Sequence, residues 1–332
     1  KVVAKLKTDE HLSAQDGKMQ MTLPDEELDV RVSIVPITKG EKAVLRLLSS
    51  KSRQLTLTDL GMKENDLKKV QDGFVKPYGM ILATGPTGSG KTTTIYAILK
   101  ILNTRDINIA SIEDPVEYDI AGINQIQVNP KTNLTFANGL RSILRQDPNV
   151  IFVGEIRDAE TADIAVNSAM TGHLVLSTLH TNDAATTLPR LMDMNIEPYL
   201  VSSTVSVIVA QRLIRKICEK CRVSVTQTAE DLRKHISRDL INKFFGDKKE
   251  LRLYQGKGCP ICQQTGYAGR VGIFEVLVIS PAIKELINAK ADAAIIAQKG
   301  KEEGMKTMLE DGLEKVAAGI TTIEEILRAS KE

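Results

Sequence analysis

The stretch TGPTGSGKTTT, Thr84 to Thr94, decides the fold. Three glycines and a proline ahead of a lysine and three threonines waste helix propensity and bury almost nothing, so the value of the run lies in its backbone. The spacing Gly-x-x-x-x-Gly-Lys-Thr runs from Gly85 through Gly90 and Lys91 to Thr92. Before it stands a short apolar run, Met80 to Ala83. Behind it KTTTIYAILKIL places Ile95, Ile98, Leu99 and Leu102 at helical spacing. Glycines let successive backbone N–H groups converge at a helix N-terminus and form an anion cradle. The expected nucleotide-binding residues are therefore Gly85, Pro86, Thr87, Gly88, Ser89, Gly90, Lys91, Thr92 and Thr93. Lys91 can reach the β- and γ-phosphates of a nucleoside triphosphate, and the Thr92 hydroxyl can ligate Mg²⁺.

The 332 residues suffice for one large domain or two with a sizeable core. Forty-four Lys and Arg against 42 Asp and Glu leave a formal charge of +2, which gives no electrostatic footprint for nucleic acid. Aromatic residues make up 4% of the chain and Trp is absent, so base-stacking platforms are not expected. No apolar run approaches the length of a membrane span, and the opening KVVAKLKTDE lacks a signal-peptide core. A cytoplasmic location is expected. A start at Lys1 rather than Met suggests an N-terminal truncation.

Residues 1–50 read as a strand-rich unit. Val30, Val32 and Ile34 alternate with polar neighbours, and after a turn Ala43, Leu45 and Leu47 share a face. A hairpin centred between Thr38 and Lys39 puts Arg31 directly opposite Arg46, a destabilising like-charge pair. Either the two heads splay on a solvated face or they meet an anion supplied by a neighbouring domain or subunit. SSKSRQLTLTDLGM, Ser49 to Met62, reads as a linker and an Asp/Gly turn.

From about residue 58 to 215 apolar strand-like runs alternate with helical patterns, as in a largely parallel α/β sheet. NIASIEDP ends in Glu113 and Asp114, NVIFVGEIRD carries Glu155 just past a buried strand, and HLVLSTLH ends at His180. Ligands of such sheets gather at the carboxyl ends of the strands. Glu155 is placed to hold Mg²⁺, Glu113 to activate water, and His180 to sense the γ-phosphate. Arg31 and Arg46 can supply the cation that neutralises the transferring group. Either glutamate alone could be an exposed strand-end charge, and His173 is equally a structural donor or a site residue. After Pro281 the chain reads as helical, with Thr322-x-x-Glu325 as a capping box.

Cys218 and Cys221 in CEKC, with Cys259 and Cys262 in CPIC, have the spacing of a closed tetrahedral Zn²⁺ site. Disulfides, disfavoured in a reducing compartment, and a site that has lost its metal or never needed one are the alternatives.

Together GPTGSGKTTT, IEDPVEY, ILRQDPNVIFVGEIRD, TGHLVLSTLHTND, AQRLIRKIC and the cysteine pairs resemble the type II secretion and type IV pilus assembly ATPases (GspE/PilB-like) over nearly the whole chain. In that resemblance they match the Walker A, Asp box, Walker B, His box and metal-bearing elements. It implies an α/β fold with a RecA-like P-loop ATPase domain, a smaller N-terminal PAS-like α+β domain and a tetracysteine zinc subdomain. The corresponding division is 1–50 for the PAS-like domain and 51–60 for the linker. The ATPase domain takes 61–332, including the metal-binding subdomain at 216–270 and C-terminal helices at 281–332. Arg31 and Arg46 match small-domain arginines that approach nucleotide. Glu113 matches the water-activating glutamate and Glu155 the Mg²⁺-associated one, roles that can exchange. The implied function is a homohexameric motor that hydrolyses ATP to drive pilus extension or secretion. It would sit peripherally at the cytoplasmic face of the inner membrane, bound through a platform protein and not to nucleic acid. Retraction ATPases generally lack the tetracysteine element, so its presence favours extension or secretion. A retraction or conjugation-type ATPase is the nearest alternative. A RecA-like nucleic-acid motor and a scaffold with little hydrolysis lie further off.

Overall fold

The computed structural model describes residues 1–23, 27–49 and 54–331. Residues 51–53 of the expected linker lie outside the described residues. Contacts divide the chain into two units, Lys1–Thr56 with Glu117–Asp119, and Leu57–Val116 with Ile120–Glu332.

The first unit holds β1 (Gln15–Thr22), β2 (Glu27–Ile37) and β3 (Gly40–Ser49) in an antiparallel sheet of order β1-β2-β3. The turn between Ile37 and Gly40 sets the register in which Arg31 faces Arg46, as the hairpin reading expects. The same register brings Lys18 opposite Arg31 from the other side. Val30, Val32 and Ile34 bury against Ala4, Leu28, Leu6 and Met19. The expected apolar face of β3 is not buried in this unit: Leu45 and Leu47 are exposed. The N-terminal segment that supplies Ala4 and Leu6 joins the cluster of β1 and β2 residues, and β3 is an edge strand beyond it.

The second unit opens with a turn closed by Gly61 N–H to Thr58 O and by Met62 N–H to Leu57 O. Then follow α1 (Glu64–Phe74), β4 (Gly79–Thr84), α2 (Lys91–Leu102), β5 (Ile109–Glu113) and β6 (Ile123–Gln127). Next come α3 (Phe136–Ile143), β7 (Val150–Val153), α4 (Ala159–Met170), β8 (Leu174–Leu179), α5 (Thr187–Asp193), α6 (Pro198–Thr204) and β9 (Val205–Ile217). An excursion contains β10 (Arg222–Thr228), α7 (Ala229–Arg233), α8 (Arg238–Phe245) and β11 (Glu250–Gly256), and the chain returns as β12 (Tyr267–Val278). The last elements are α9 (Pro281–Asn288), α10 (Ala293–Glu302), α11 (Met308–Ala317) and α12 (Ile323–Lys331).

Among the described residues these strands make a seven-stranded sheet of order β12-β9-β4-β8-β7-β5-β6. All its pairings are parallel except β12 with β9. Strands β4, β5, β7 and β8 are buried at every residue, as expected of a parallel sheet covered on both faces, which is why they read as continuous apolar runs. One core gathers Leu82, Ile112, Val153, Val175 and Ile208 with helices α3, α4, α5, α6, α9 and α10. A second core packs Ile214, Val271 and Ile273 against α7, α8, α11 and α12.

The expected capping box of α12 forms on one side only. Glu325 N–H donates to Thr322 Oγ1, but the Glu325 carboxylate accepts from the Arg215 amide at 2.9 Å and from its guanidinium at 2.6 Å. A charged partner on β9 offers the carboxylate more than the neutral Ncap amide does. No helix among the described residues is long and apolar enough to cross a membrane.

Candidate functional site

Parallel pairing of β4, β8, β7 and β5 brings their carboxyl ends to one edge. The glycine-rich loop leaves β4 there. Gly85, Gly88 and Gly90 take φ of 145°, 80° and 90°, a region where glycine carries no Cβ penalty. At Gly85 the constraint is double, because a Cβ would stand 2.4 Å from the Gln211 carbonyl oxygen. Gln211 on β9 also donates from Nε2 to Ser89 O at 2.8 Å, so the neighbouring strand braces the loop. The Ser89 hydroxyl is buried without a hydrogen-bond partner among the described residues, an orphaned donor suited to a loop that closes on an oxygen-rich ligand.

Gly90 caps α2, and Lys91 follows with its ammonium donating to Gly85 O at 2.8 Å and Pro86 O at 3.1 Å. Burial lowers the Lys91 pKa, and the negative charge of Glu155 opposes that shift. Thr92 stands beside it in the first turn of α2. At the root of the loop, Thr84 Oγ1 donates to Leu179 O at 3.2 Å and accepts from Thr181 N–H at 3.0 Å. These bonds tie the phosphate loop to the segment that carries His180.

Glu155 lies just past β7. Its Oε1 stands 2.5 Å from Arg157 Nη2 and its Oε2 3.3 Å from His180 Nε2. The pairing with Glu155 raises the Arg157 pKa. Gly154 lets the ends of β5 and β7 approach, since a Cβ there would meet the Glu113 Cα at 3.2 Å. The geometry therefore groups Lys91, Glu155, Arg157 and His180 at one strand edge. Hard oxygen donors from Thr92 and Glu155 at that edge fit Mg²⁺.

Glu113 ends β5 at the same edge but turns its carboxylate into the protein, where the residue is 2% exposed. Tyr96 Oη donates to Oε2 at 2.5 Å, and Oε1 accepts from Ser111 Oγ at 2.6 Å and Gln125 Nε2 at 3.2 Å. His173 precedes β8, at the opposite edge from His180, and its Nδ1 lies 3.0 Å from Ser168 O. That is a local contact with the end of α4.

In the first unit Arg31 pairs with Glu117 at 2.7 Å and is mostly buried, while Arg46 is exposed. With Lys18 they form a cross-strand row of three cations.

Cys218 follows β9, Cys221 precedes β10, and Cys259 and Cys262 flank a 3-10 turn between β11 and β12. The four Sγ atoms lie within 4.8 Å of one another. Sulfurs of Cys218 and Cys259 are 3.9 Å apart, those of Cys221 and Cys262 3.8 Å, and those of Cys259 and Cys262 3.6 Å. A tetrahedron with Zn–S of about 2.3 Å has edges of about 3.8 Å, so the donor set fits Zn²⁺. Burial raises the Cys262 thiol, but the amides of Cys259 and Gly266 and the neighbouring thiols carry it down to about 6. Burial pushes Cys221 up to about 11.

Sequence reasoning missed Arg157, Tyr96, Gln125, Gln211 and Lys18. Arg157 sits within the GEIRD run and was legible as the nearest cation to Glu155. Lys18 needed the register of β1, and Gln211 and Tyr96 needed the packing of β9 and α2.

A family model described as type II/IV secretion system protein matches residues 1–328. The chain is 46% identical over its whole length to type II secretion system ATPase E of Vibrio cholerae serotype O1 and spans 64% of that protein. It is 46% identical to the type IV pilus assembly ATPase PilB of Thermus thermophilus, of which it spans 37%. Among solved structures, the pilus retraction motor PilT with bound ADP aligns at a TM-score of 0.69 and 28% identity, covering 97% of this chain and 78% of PilT. The α/β fold with its mainly parallel sheet is shared with that structure. By the extent of the family match and of the identity to these relatives, the chain belongs to the type II/IV secretion system protein family.

Proposed function

We propose that the chain is the motor portion of an ATPase that hydrolyses ATP to drive type IV pilus extension or type II secretion. The observation that carries the reading is the grouping of Lys91, Glu155, Arg157 and His180 at the strand edge from which the glycine loop departs. On this reading the backbone of Gly85 to Thr93 and the Lys91 ammonium bind the triphosphate. Thr92 and Glu155 would hold Mg²⁺, which neutralises charge on the β- and γ-phosphates when bound. Lys91 exchanges its two loop carbonyls for phosphate oxygens. Glu155 is oriented by Arg157 and His180, and His180 can turn to the γ-phosphate. Glu113, buried beneath Tyr96 and Gln125, takes the proton of an attacking water that reaches its remaining lone pairs from the nucleotide side.

The larger unit is then a RecA-like ATPase domain and the first unit a PAS-like one. Arg31 and Arg46 approach nucleotide held by a second subunit, in a homohexamer peripheral to the inner membrane and docked on a platform protein. The four cysteines hold a structural Zn²⁺ that fixes the excursion between β9 and β12. Two relatives named for type II secretion and for pilus assembly, each 46% identical, support this reading. The likeness to the retraction motor PilT favours a second one, a motor that withdraws a filament.

The test is Mg²⁺-dependent ATP hydrolysis by the parent, Lys91→Ala and Glu155→Gln. The reading expects hydrolysis that falls by about 10²-fold or more in both variants, with ATP binding kept in Glu155→Gln. Equal turnover in all three proteins would overturn it.

A further inference from the structure

Glu113 is the end residue of β5, yet its carboxylate is capped by groups from three elements: Tyr96 of α2, Ser111 of β5 and Gln125 of β6. Tyr96 differs from the other two, because it alone of the three rides on the helix whose N-terminus forms the phosphate loop. Its ring is 1% exposed and meets Phe152 of β7 edge-on, centroids 6.0 Å apart and planes at 84°. The ring is thus clamped on one side by the strand that leads to Glu155. On the other side its hydroxyl is fixed by Glu113 and by Gln125 Nε2 at 3.3 Å.

We propose that Tyr96 is a positioning residue for water activation: its hydroxyl sets the Glu113 carboxylate and links that carboxylate mechanically to the phosphate loop through α2. The inference rests on the reading of Glu113 as the group that takes the proton from water. Ser111 and Gln125 hold only Oε1, so without the Tyr96 hydroxyl Oε2 loses the donor that α2 supplies, and proton transfer needs both oxygens in one place. A rigid aromatic strut with two side-chain torsions supplies that placement at small entropic expense. It also makes the position of Glu113 depend on where α2 stands, hence on what the loop holds. Ser111 and Gln125 fix the other oxygen but belong to the sheet.

Tyr96→Phe keeps the ring and its contact with Phe152 and removes only the hydroxyl. A hydrogen bond to a charged group is worth enough that a drop in kcat of about tenfold or more is expected, with KM for ATP and affinity for a fluorescent ATP analogue within about twofold of the parent. The measurement is made on the full chain at matched oligomer distribution, with thermal unfolding recorded alongside and Glu113→Gln as reference. Site-specific 3-fluorotyrosine at position 96 serves as a variant that keeps ring and hydroxyl while changing the hydroxyl's acidity, and a change in kcat with constant KM is expected there too.

A parental kcat in Tyr96→Phe, with Glu113→Gln inactive, overturns the positioning role and leaves the role of Glu113 standing. A lowered melting temperature with kcat and KM unchanged does the same, since Tyr96 then only fills the core. Losses in kcat and nucleotide affinity together would place Tyr96 in loop folding and overturn it as well. Parental turnover in Glu113→Gln would bring down the reading of Glu113 itself, and the proposal with it.

Discussion

Glu155 and His180 face each other at the carboxyl edge of the sheet, Oε2 to Nε2 at 3.3 Å, with Arg157 on the other carboxylate oxygen at 2.5 Å. The carboxylate is thereby held in one orientation next to the phosphate loop. Glu155→Gln keeps the shape and loses the charge. Turnover is expected to fall by about 10²-fold or more, whereas His180→Ala, which removes a partly exposed group, is expected to lose about tenfold. Steady-state ATPase assays with a separate ATP-binding titration check both, and similar losses in the two variants would refute the ranking.

Gly85 combines a φ of 145° with a backbone oxygen 2.4 Å from where a Cβ would sit. Gly85→Ala is therefore expected to displace the loop from Gln211 and abolish measurable nucleotide binding, although the sheet below it still folds. Calorimetric ATP titration together with circular dichroism tests this. Tight binding by the alanine variant would show that the loop tolerates the shift.

The four-cysteine cluster is expected to hold one Zn²⁺ per chain, with each thiol deprotonated as the metal binds. Cys218→Ser should remove the metal and lower the melting temperature. Much of the central sheet survives, because the cysteines lie in the excursion and not among β4, β5, β7 and β8. Elemental analysis alongside a thermal melt decides it. A metal-free parent with an unchanged melt in the variant would contradict the assignment.

Glu325 offers a pH test. Burial opposes its ionisation, but the Arg215 and Arg328 side chains and the Arg215 amide override this and hold the carboxyl at about 2, from an ordinary 4.5. A depressed folded-state value contributes stability that is complete above the unfolded value and is lost as pH falls through the folded one. The parent should therefore lose this stability between about pH 4.5 and about pH 2. Glu325→Gln should be less stable than the parent at neutral pH and show a shallower decline over that window. Denaturant titrations at several pH values read the difference, and parallel curves would count against the Arg215 pairing.

Much of this architecture was written in local pattern. The glycine loop, the apolar runs that became β4, β5, β7 and β8, and the hairpin turn that set Arg31 against Arg46 all depend on residues close in sequence. What escaped depends on packing between distant segments. The direction in which Glu113 points is decided by Tyr96 and Gln125, donors on other elements. The brace of Gln211 on Ser89 joins residues on β9 and the phosphate loop, and no periodicity encodes it. Leu45 and Leu47 share a face by alternation, as expected, but alternation specifies a face and not what covers it, and both are exposed. Thr322 and Glu325 had capping-box spacing, and an arginine on β9 took the carboxylate instead.

In the proposed motor, hydrolysis belongs to an assembled ring in which Arg31 and Arg46 of one subunit act on nucleotide held by another. The most direct test is the ATPase rate per subunit against protein concentration for the parent, Glu113→Gln and the Arg31→Ala/Arg46→Ala double variant, with mass photometry on the same samples. A rate that climbs as hexamers form and collapses in both variants is expected. A rate independent of concentration and indifferent to loss of the two arginines would contradict it.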